Sequence, residues 1–171
     1  KYAMHFVSTH KQYELGAAWA KEIEKRTNGR VKIVMYPGGT LIPSPQIYDG
    51  VVNGIADIGF SWFAFTRGKF PLMEVCDLPL VYRSGLAATR LVNDVYRKFT
   101  PPELAETQVM YLGGHGPGIL HASKPVHTLE DVKGLRIRAT GTSAKIAAAL
   151  GGMPVAMPVG EAYDALKKGV V

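Results

Sequence analysis

Residues 133–150 read KGLRIRATGTSAKIAAAL, and this stretch decides the fold class. Within it, Leu135–Arg138 alternates apolar and basic side chains, which is the period of a β-strand. Residues 143–150 then change to the apolar spacing of a helix. Strand and helix patterns alternate in this way along the whole chain, with turn residues at the changes. The sequence therefore predicts an α/β fold with parallel strands.

The other predicted elements lie on either side of that stretch. Helices are predicted at 12–28, after Ser44, after Ser84, at 143–150 and at 160–168, and a capped turn at 128–133. Strands are predicted at 31–36, 55–60, 109–112, 118–122, 135–138 and 154–157, with an ordered loop region at 61–83. Four glycines at 113–118 mark either a crossover between lobes or a backbone that closely approaches another group.

Composition excludes several classes of protein. The 171 residues are 47% hydrophobic and 20% charged, as in ordinary globular proteins. The net charge is +6, but the basic residues are scattered and form no stripe that would fit nucleic acid. No apolar run reaches the roughly 20 residues of a membrane span. The single cysteine, Cys76, excludes an internal disulfide, and the histidines lack the spacing of a metal site.

The two ends of the sequence predict a piece of a longer protein. Lys1 opens a strand-like stretch without an initiator methionine, which is typical of a mature product. At the other end, a helical pattern stops at Gly169, and two valines begin a strand that does not continue. We therefore expect a chain truncated at its C-terminus.

Arg138 is the leading candidate for ligand binding. It ends a predicted strand, and ligands of open α/β sheets collect beyond the carboxyl ends of the strands. Residues 140–143 read TGTS and begin a helix, whose free amides favour an anion. A guanidinium at this place would hold a carboxylate through two parallel hydrogen bonds. The alternative from the pattern alone is an edge arginine in a surface ion pair.

Aromatic and histidine side chains form a second set of candidates. Phe60 ends the predicted strand at 55–60 and Trp62 and Phe63 follow it, and these rings either wall a pocket or pack in the core. His10 and His115 each lie near a strand-to-loop transition, where an imidazole either binds a ligand or is structural. The sequence shows no nucleophile elbow, P-loop, zinc-protease motif or dinucleotide fingerprint, so we expect no enzyme activity.

Five segments together resemble the TRAP (tripartite ATP-independent periplasmic) solute-binding family, also called the dicarboxylate-binding family. They are WAKEIEKRTNGRV at 19–31, YPGGTL at 36–41, DGVVNGIADIG at 49–59, KGLRIR at 133–138, and LGGMPV at 150–155 with EAYDAL at 161–166. They occur in the family's order and cover nearly the whole chain. In that family the second arginine of the KGLxIR motif binds the ligand carboxylate, and Arg138 matches it.

The resemblance implies a periplasmic protein with a two-lobed, type II-like binding-protein fold. It places lobe I at 1–114 and the start of an incomplete lobe II at 115–171. The ligand would be a small organic carboxylate bound in the cleft between lobes, and the partner a TRAP membrane permease, with no cofactor or metal. The predicted ligand-binding residues are Arg138, Trp62, Phe60, Ser61, His10, His115, Gly116 and Met157.

Two alternatives remain open from the sequence. One is a binding module of another class, such as an ABC-importer receptor or the effector domain of a regulator. The other is a transferase or deaminase on a similar two-lobed fold. The type of carboxylate is also open, because the aromatic segment permits an aromatic or branched ligand while the basic charge permits a dicarboxylate.

Overall fold

A computed structural model describes residues 1–78, 82–157 and 159–171 and divides the chain into two compact units, residues 1–66 and 67–171. The strands are β1 (Tyr2–Met4), β2 (Met35–Tyr36), β3 (Ile58–Phe60), β4 (Arg136–Arg138) and β5 (Met153–Val155). The helices are α1 (Lys11–Arg26), α2 (Ile47–Val52), α3 (Pro71–Glu74), α4 (Gly85–Phe99), α5 (Leu129–Val132), α6 (Gly141–Ala149) and α7 (Val159–Lys167). Every strand pairing is parallel within these ranges, which confirms the predicted α/β class.

The first unit is built on β1. This strand lies between β2 and β3, with Tyr2 paired to Met35 on one side and to Ile58 on the other. All three of its residues are buried, so both of its faces are covered, as expected of a parallel strand. The carboxyl ends of β1 and β3 therefore meet at one edge of the sheet.

The second unit contains a β4–α6–β5 connection. Arg138 pairs with Val155, so the carboxyl ends of both strands again meet at one edge. The predicted capped turn is α5, where Thr128 and Asp131 bond reciprocally to each other's backbone amides. Helix α4 begins after Ser84 as the sequence predicts, and the Ser84 side chain caps it by accepting from the Ala87 amide.

The glycine segment at 113–116 lies directly against α4. The Gly114 amide donates to Thr89 Oγ1 at 2.9 Å, and the Thr89 hydroxyl donates to the Gly114 carbonyl at 3.2 Å. A Cβ on Gly114 would lie 2.7 Å from Ala88 Cβ. Of the two interpretations of these glycines, the structure shows a close backbone approach. The backbone of the glycine segment packs against α4, a helix of the same unit.

Several predicted elements differ from the observed ones. Residues 109–112 and 118–122 form no strand, and the Leu112 carbonyl accepts instead from the Asn93 side chain of α4 at 2.9 Å. Ser44 makes no side-chain cap and begins a single 3₁₀ turn before α2. The predicted loop at 61–83 contains short turns and α3, while its residues 79–81 lie outside the described ranges.

Gly59 of β3 offers a test of the packing between the sheet and α2. A Cβ at this position would lie 2.7 Å from Ile47 Cγ2 and 2.8 Å from Val51 Cγ2. Because Ile47 is fully buried and cannot easily move, Gly59→Ala should lower the free energy of unfolding by about 1–3 kcal/mol. Urea denaturation measures this change.

Gly113→Ala is the matched control, since a Cβ there would meet no atom within 4 Å. Its free energy of unfolding should stay within about 0.5 kcal/mol of the wild type. Equal stability of the two variants would contradict the packing described for β3.

Candidate functional site

The Arg138 side chain is half-buried at the carboxyl end of β4. Its Nε and Nη2 groups donate to the Met157 carbonyl at 3.0 and 2.8 Å, so two predicted site residues lie in direct contact. Throughout residues 1–78, 82–157 and 159–171, no carboxylate forms an ion pair with Arg138. The surface ion pair considered from the sequence is thus absent from the described part of the chain.

The contact with Met157 leaves part of the guanidinium available. A guanidinium has five N–H donors, and the Met157 carbonyl takes one from Nε and one from Nη2. The remaining donors are both hydrogens of Nη1 and the second hydrogen of Nη2. One hydrogen from each nitrogen forms the end-on pair that fits the two oxygens of a carboxylate.

Arg136 has a different environment on the same strand. It is exposed, and its Nη2 donates to the Gly169 carbonyl. This contact ties β4 to the turn that follows α7. Arg136 therefore has a structural partner.

The start of α6 carries a polar network close to the strand end. The Thr142 hydroxyl donates to Asp77 Oδ2 at 2.5 Å, and Arg67 donates to the Thr142 oxygen. Arg67 also lies 3.5 Å from Asp77. The Thr142 hydroxyl of the TGTS segment is therefore already bonded to a carboxylate of its own unit.

A cluster of rings occupies the carboxyl edge of the first sheet. We call it the aromatic cluster, and its members are His5, Phe6, His10, Phe60, Trp62 and Phe65. The His5 ring lies at its centre, with centroid distances of 3.9 Å to Phe6, 5.8 Å to Phe60, 5.9 Å to Trp62 and 5.3 Å to Phe65. The sequence prediction placed three of these residues, His10, Phe60 and Trp62, at the site.

His5 was missed by the sequence prediction. His5 lies directly after β1, and the same position at a strand end is the reason why residues near the end of β3 were predicted as site residues. Several aromatic residues near the end of β3 supported that prediction, whereas the sequence around His5 has fewer. Burial lowers its pKa, the Phe60 carbonyl 3.4 Å from Nδ1 opposes this shift, and the nearby His10 adds to the lowering. The imidazole at the centre of the cluster is therefore neutral near pH 7.

The other predicted residues have local hydrogen bonds. His10 caps α1, with Nδ1 accepting from the Gln12 amide at 3.2 Å, and its ring stacks on Phe6. Ser61 Oγ donates to the Ser44 carbonyl at 3.1 Å. His115 is exposed, and its Nδ1 donates to the Gly116 carbonyl at 2.7 Å. Their roles in ligand binding stay predictions.

Two other kinds of feature, a metal site and a membrane-spanning helix, are absent from the described residues. Within those ranges, no three His, Cys, Asp or Glu side chains lie close enough together to hold a metal ion. The helices of the same ranges are all too short or too polar to cross a bilayer.

The family model for bacterial extracellular solute-binding proteins, family 7, matches residues 3–171. The chain belongs to this family, DctP. This membership confirms the resemblance derived from the five sequence segments. The family consists of extracytoplasmic solute-binding proteins, as the sequence led us to expect.

Solved structures of DctP-family proteins share the fold. A TRAP periplasmic solute-binding protein from Desulfovibrio salexigens is 38% identical, with a TM-score of 0.81 over 99% of this chain and 53% of its own. One from Rhodoferax ferrireducens, in complex with copurified benzoate, is 31% identical, with a TM-score of 0.87 over 99% of this chain and 54% of its own. These likenesses confirm the predicted type of two-lobed α/β fold.

Curated relatives agree with the family assignment. The 2,3-diketo-L-gulonate-binding periplasmic protein of Escherichia coli K12 is 27% identical over 150 residues, which are 85% of this chain and 46% of that protein. The chain thus spans about half the length of the DctP relatives it matches. The predicted division into lobes at 114/115 stays a prediction.

The neutral His5 predicts a pH dependence of stability. Its folded pKa lies below the ordinary value of 6.5, so the unfolded imidazole binds a proton more readily than the folded one. The free energy of unfolding should therefore fall as the pH drops below about 6.5 toward the folded pKa. Urea denaturation at pH 7.5 and 5.5 should show a smaller loss in His5→Phe than in the wild type.

His121→Phe is the control for this experiment, because His121 is exposed. Its loss of stability between the two pH values should match that of the wild type. If the free energy of unfolding falls as much in His5→Phe as in the wild type between pH 7.5 and 5.5, the pH dependence does not come from His5.

Proposed function

We propose that the complete protein is a periplasmic receptor that captures a small organic carboxylate and delivers it to a TRAP-type membrane permease. It performs no chemistry on the ligand. Arg138 holds the carboxylate, and His10, Phe60 and Trp62 remain predicted ligand contacts. The predicted residues Ser61, His115, Gly116 and Met157 belong to the same proposal, with Met157 acting through its carbonyl contact with Arg138.

The single observation that carries this proposal is the state of the Arg138 guanidinium. It is half-buried, has no carboxylate partner within the described ranges, and is held on one edge by a neutral carbonyl. A carbonyl orients a guanidinium without neutralising its charge. The charge and the end-on donor pair are therefore left for an external anion.

The cost of desolvating a carboxylate explains why its receptor needs a fixed guanidinium. Removing a carboxylate from water costs several kcal/mol unless a partner charge and hydrogen bonds replace the lost hydration. A fixed guanidinium supplies both, because its two parallel donors match the two oxygens. Its orientation by Met157 reduces the side-chain entropy that binding would otherwise cost.

The relatives support this ligand class. Benzoate in the Rhodoferax ferrireducens protein and 2,3-diketo-L-gulonate in the Escherichia coli protein differ in their carbon skeletons but share a carboxylate. A binding site that keeps one carboxylate-holding arginine and varies its other contacts fits this diversity. The names of these relatives also support the periplasmic location and the TRAP permease as partner.

Arg138→Lys tests the proposed role of the guanidinium. Lysine keeps the charge, but one ammonium group cannot bond the Met157 carbonyl and also present two parallel donors to a carboxylate. A hydrogen bond to a charged group contributes roughly 1.5–3 kcal/mol, and about 1.4 kcal/mol corresponds to a tenfold change in affinity. The variant should therefore bind at least tenfold more weakly in calorimetry, with the tightest binder among benzoate, pyruvate and succinate as probe.

Arg136→Lys is the matched control on the same strand. Because Arg136 is exposed and bonded to the Gly169 carbonyl, its replacement should leave the affinity within about twofold. If the complete protein binds the probe and Arg138→Lys keeps the wild-type affinity, the proposed binding mode is wrong.

Tryptophan fluorescence tests the proposed contact with the aromatic cluster. Ligand binding should change the emission of Trp62, and Trp62→Phe should remove most of that change. Trp19 is the internal control, since it lies on α1 with its ring against Tyr2 at 6.3 Å. A response that survives Trp62→Phe and disappears in Trp19→Phe would reverse the assignment.

A further inference from the structure

We propose that Asp77 is a specificity-determining residue, which neutralises a second arginine close to Arg138 and so makes the receptor select ligands with one carboxylate. The second arginine is Arg67. This inference rests on the proposed function and adds to it the residue that limits the charge of the ligand. The side chains that carry it, those of Arg67, Asp77, Arg138 and Thr142, all lie in the second unit.

Arg67 is held close to the end of β4 from which the Arg138 side chain projects. Arg138 is the last residue of β4, and Thr142 belongs to the first turn of α6, four positions later. Four residues of chain span at most about 14 Å, even when they are fully extended. Arg67 Nη2 donates to the Thr142 hydroxyl oxygen, so the Arg67 guanidinium is fixed beside this turn. A second cation therefore lies near the proposed carboxylate-binding residue.

The two arginines differ in the charge of their partners. The Arg138 guanidinium bonds a neutral group, the Met157 carbonyl, and keeps its charge for an external anion. The Arg67 guanidinium lies 3.5 Å from Asp77 Oδ2, and a carboxylate at this distance neutralises its charge. Of these two arginines, only Arg138 therefore offers its charge to a ligand.

The Arg67–Asp77 pair is better shielded than an ordinary surface ion pair. Its side chains are 38% and 43% exposed, whereas those of Arg97 and Asp94 on α4 are 74% and 69% exposed. Solvent and salt screen a less exposed pair less strongly. Asp77 Oδ2 also accepts from the Thr142 hydroxyl at 2.5 Å, so moving Asp77 away from Arg67 would break two contacts. A ligand carboxylate would have to displace Asp77 in order to bind Arg67.

A dicarboxylate is therefore at a disadvantage in this site. Its first carboxylate would bind Arg138, and its second would come near an arginine that Asp77 already neutralises. A carboxylate that leaves water without a partner charge is costly to desolvate, and the like charge of Asp77 adds repulsion. A ligand with one carboxylate meets neither cost.

Asp77→Asn in the complete protein tests this role. Asparagine keeps an oxygen that can accept from Thr142 but removes the negative charge beside Arg67. Calorimetry compares two matched pairs of probes, butyrate with succinate and benzoate with isophthalate, whose members differ by one carboxylate. The wild type should bind the monocarboxylate more tightly in the pair with the higher affinity. In Asp77→Asn the ratio of dicarboxylate to monocarboxylate affinity should rise about fivefold or more, because Arg67 can then bond the second carboxylate.

Asp94→Asn is the matched control. It also removes the carboxylate of an arginine ion pair, since Asp94 lies 3.4 Å from Arg97. Because this pair is highly exposed on α4, the affinity ratio should stay within about twofold of the wild type. A rise in Asp94→Asn equal to that in Asp77→Asn would show a general effect of net charge and would overturn the role of Asp77.

Two further variants identify Arg67 as the cation. In Asp77→Asn combined with Arg67→Gln, the affinity ratio should return close to the wild-type value, because the second carboxylate has lost its partner. Arg67→Gln alone should lower the ratio below the wild-type value, because the charge of Asp77 is then no longer neutralised. This single variant also tests the inference if Asp77→Asn does not fold.

The outcomes separate this inference from the proposed function. If a probe binds and requires Arg138 but the ratio is unchanged in both Asp77→Asn and Arg67→Gln, the role of Asp77 is wrong and the carboxylate receptor stands. A wild type that prefers the dicarboxylate of both pairs would likewise overturn the selection for one carboxylate. Absence of binding by all four probes would count against both proposals.

Discussion

The hydrogen bonding of β1 on both of its edges is the constraint on which the first unit depends. Since β2 and β3 both run parallel to β1, the residues that follow the three strands lie at the same edge of the sheet. This is why His5 and Phe60, which are 55 positions apart in the sequence, come within bonding distance. The aromatic cluster is thus a result of strand direction, and a register shift of one residue would turn its rings away.

Local signals predicted much of the fold. The apolar spacing and the Asn28-Gly29 stop indicate α1, and the capping residues Ser84 and Thr128 mark the starts of α4 and α5. Each depends on interactions within about four residues, so the sequence contains them directly. The position of Arg138 at a strand end was predictable for the same reason, because alternation over four residues identified β4.

Interactions between distant residues could not be predicted. The apolar run at 109–112 resembles a strand, but its Leu112 carbonyl accepts a hydrogen bond from the Asn93 side chain of α4, and the neighbouring Gly114 amide donates to Thr89. The local sequence pattern does not show whether a segment bonds to a neighbouring strand or to side chains of a helix. The sequence likewise could not predict two other contacts. Arg138 bonds the Met157 carbonyl and His5 joins the aromatic cluster only once the strands are paired.

The central position of β1 also has a consequence during protein synthesis. Tyr2 leaves the ribosome 56 residues before Ile58, its partner in β3. At roughly 5–20 residues per second, the apolar segment Tyr2–Met4 waits on the order of 3–11 s with that edge unpaired. By contrast, Arg136 and Met153 are separated by only 17 residues, or roughly 1–3 s. Of these two strand pairings, the β1–β3 edge therefore stays open to non-native pairing for longer.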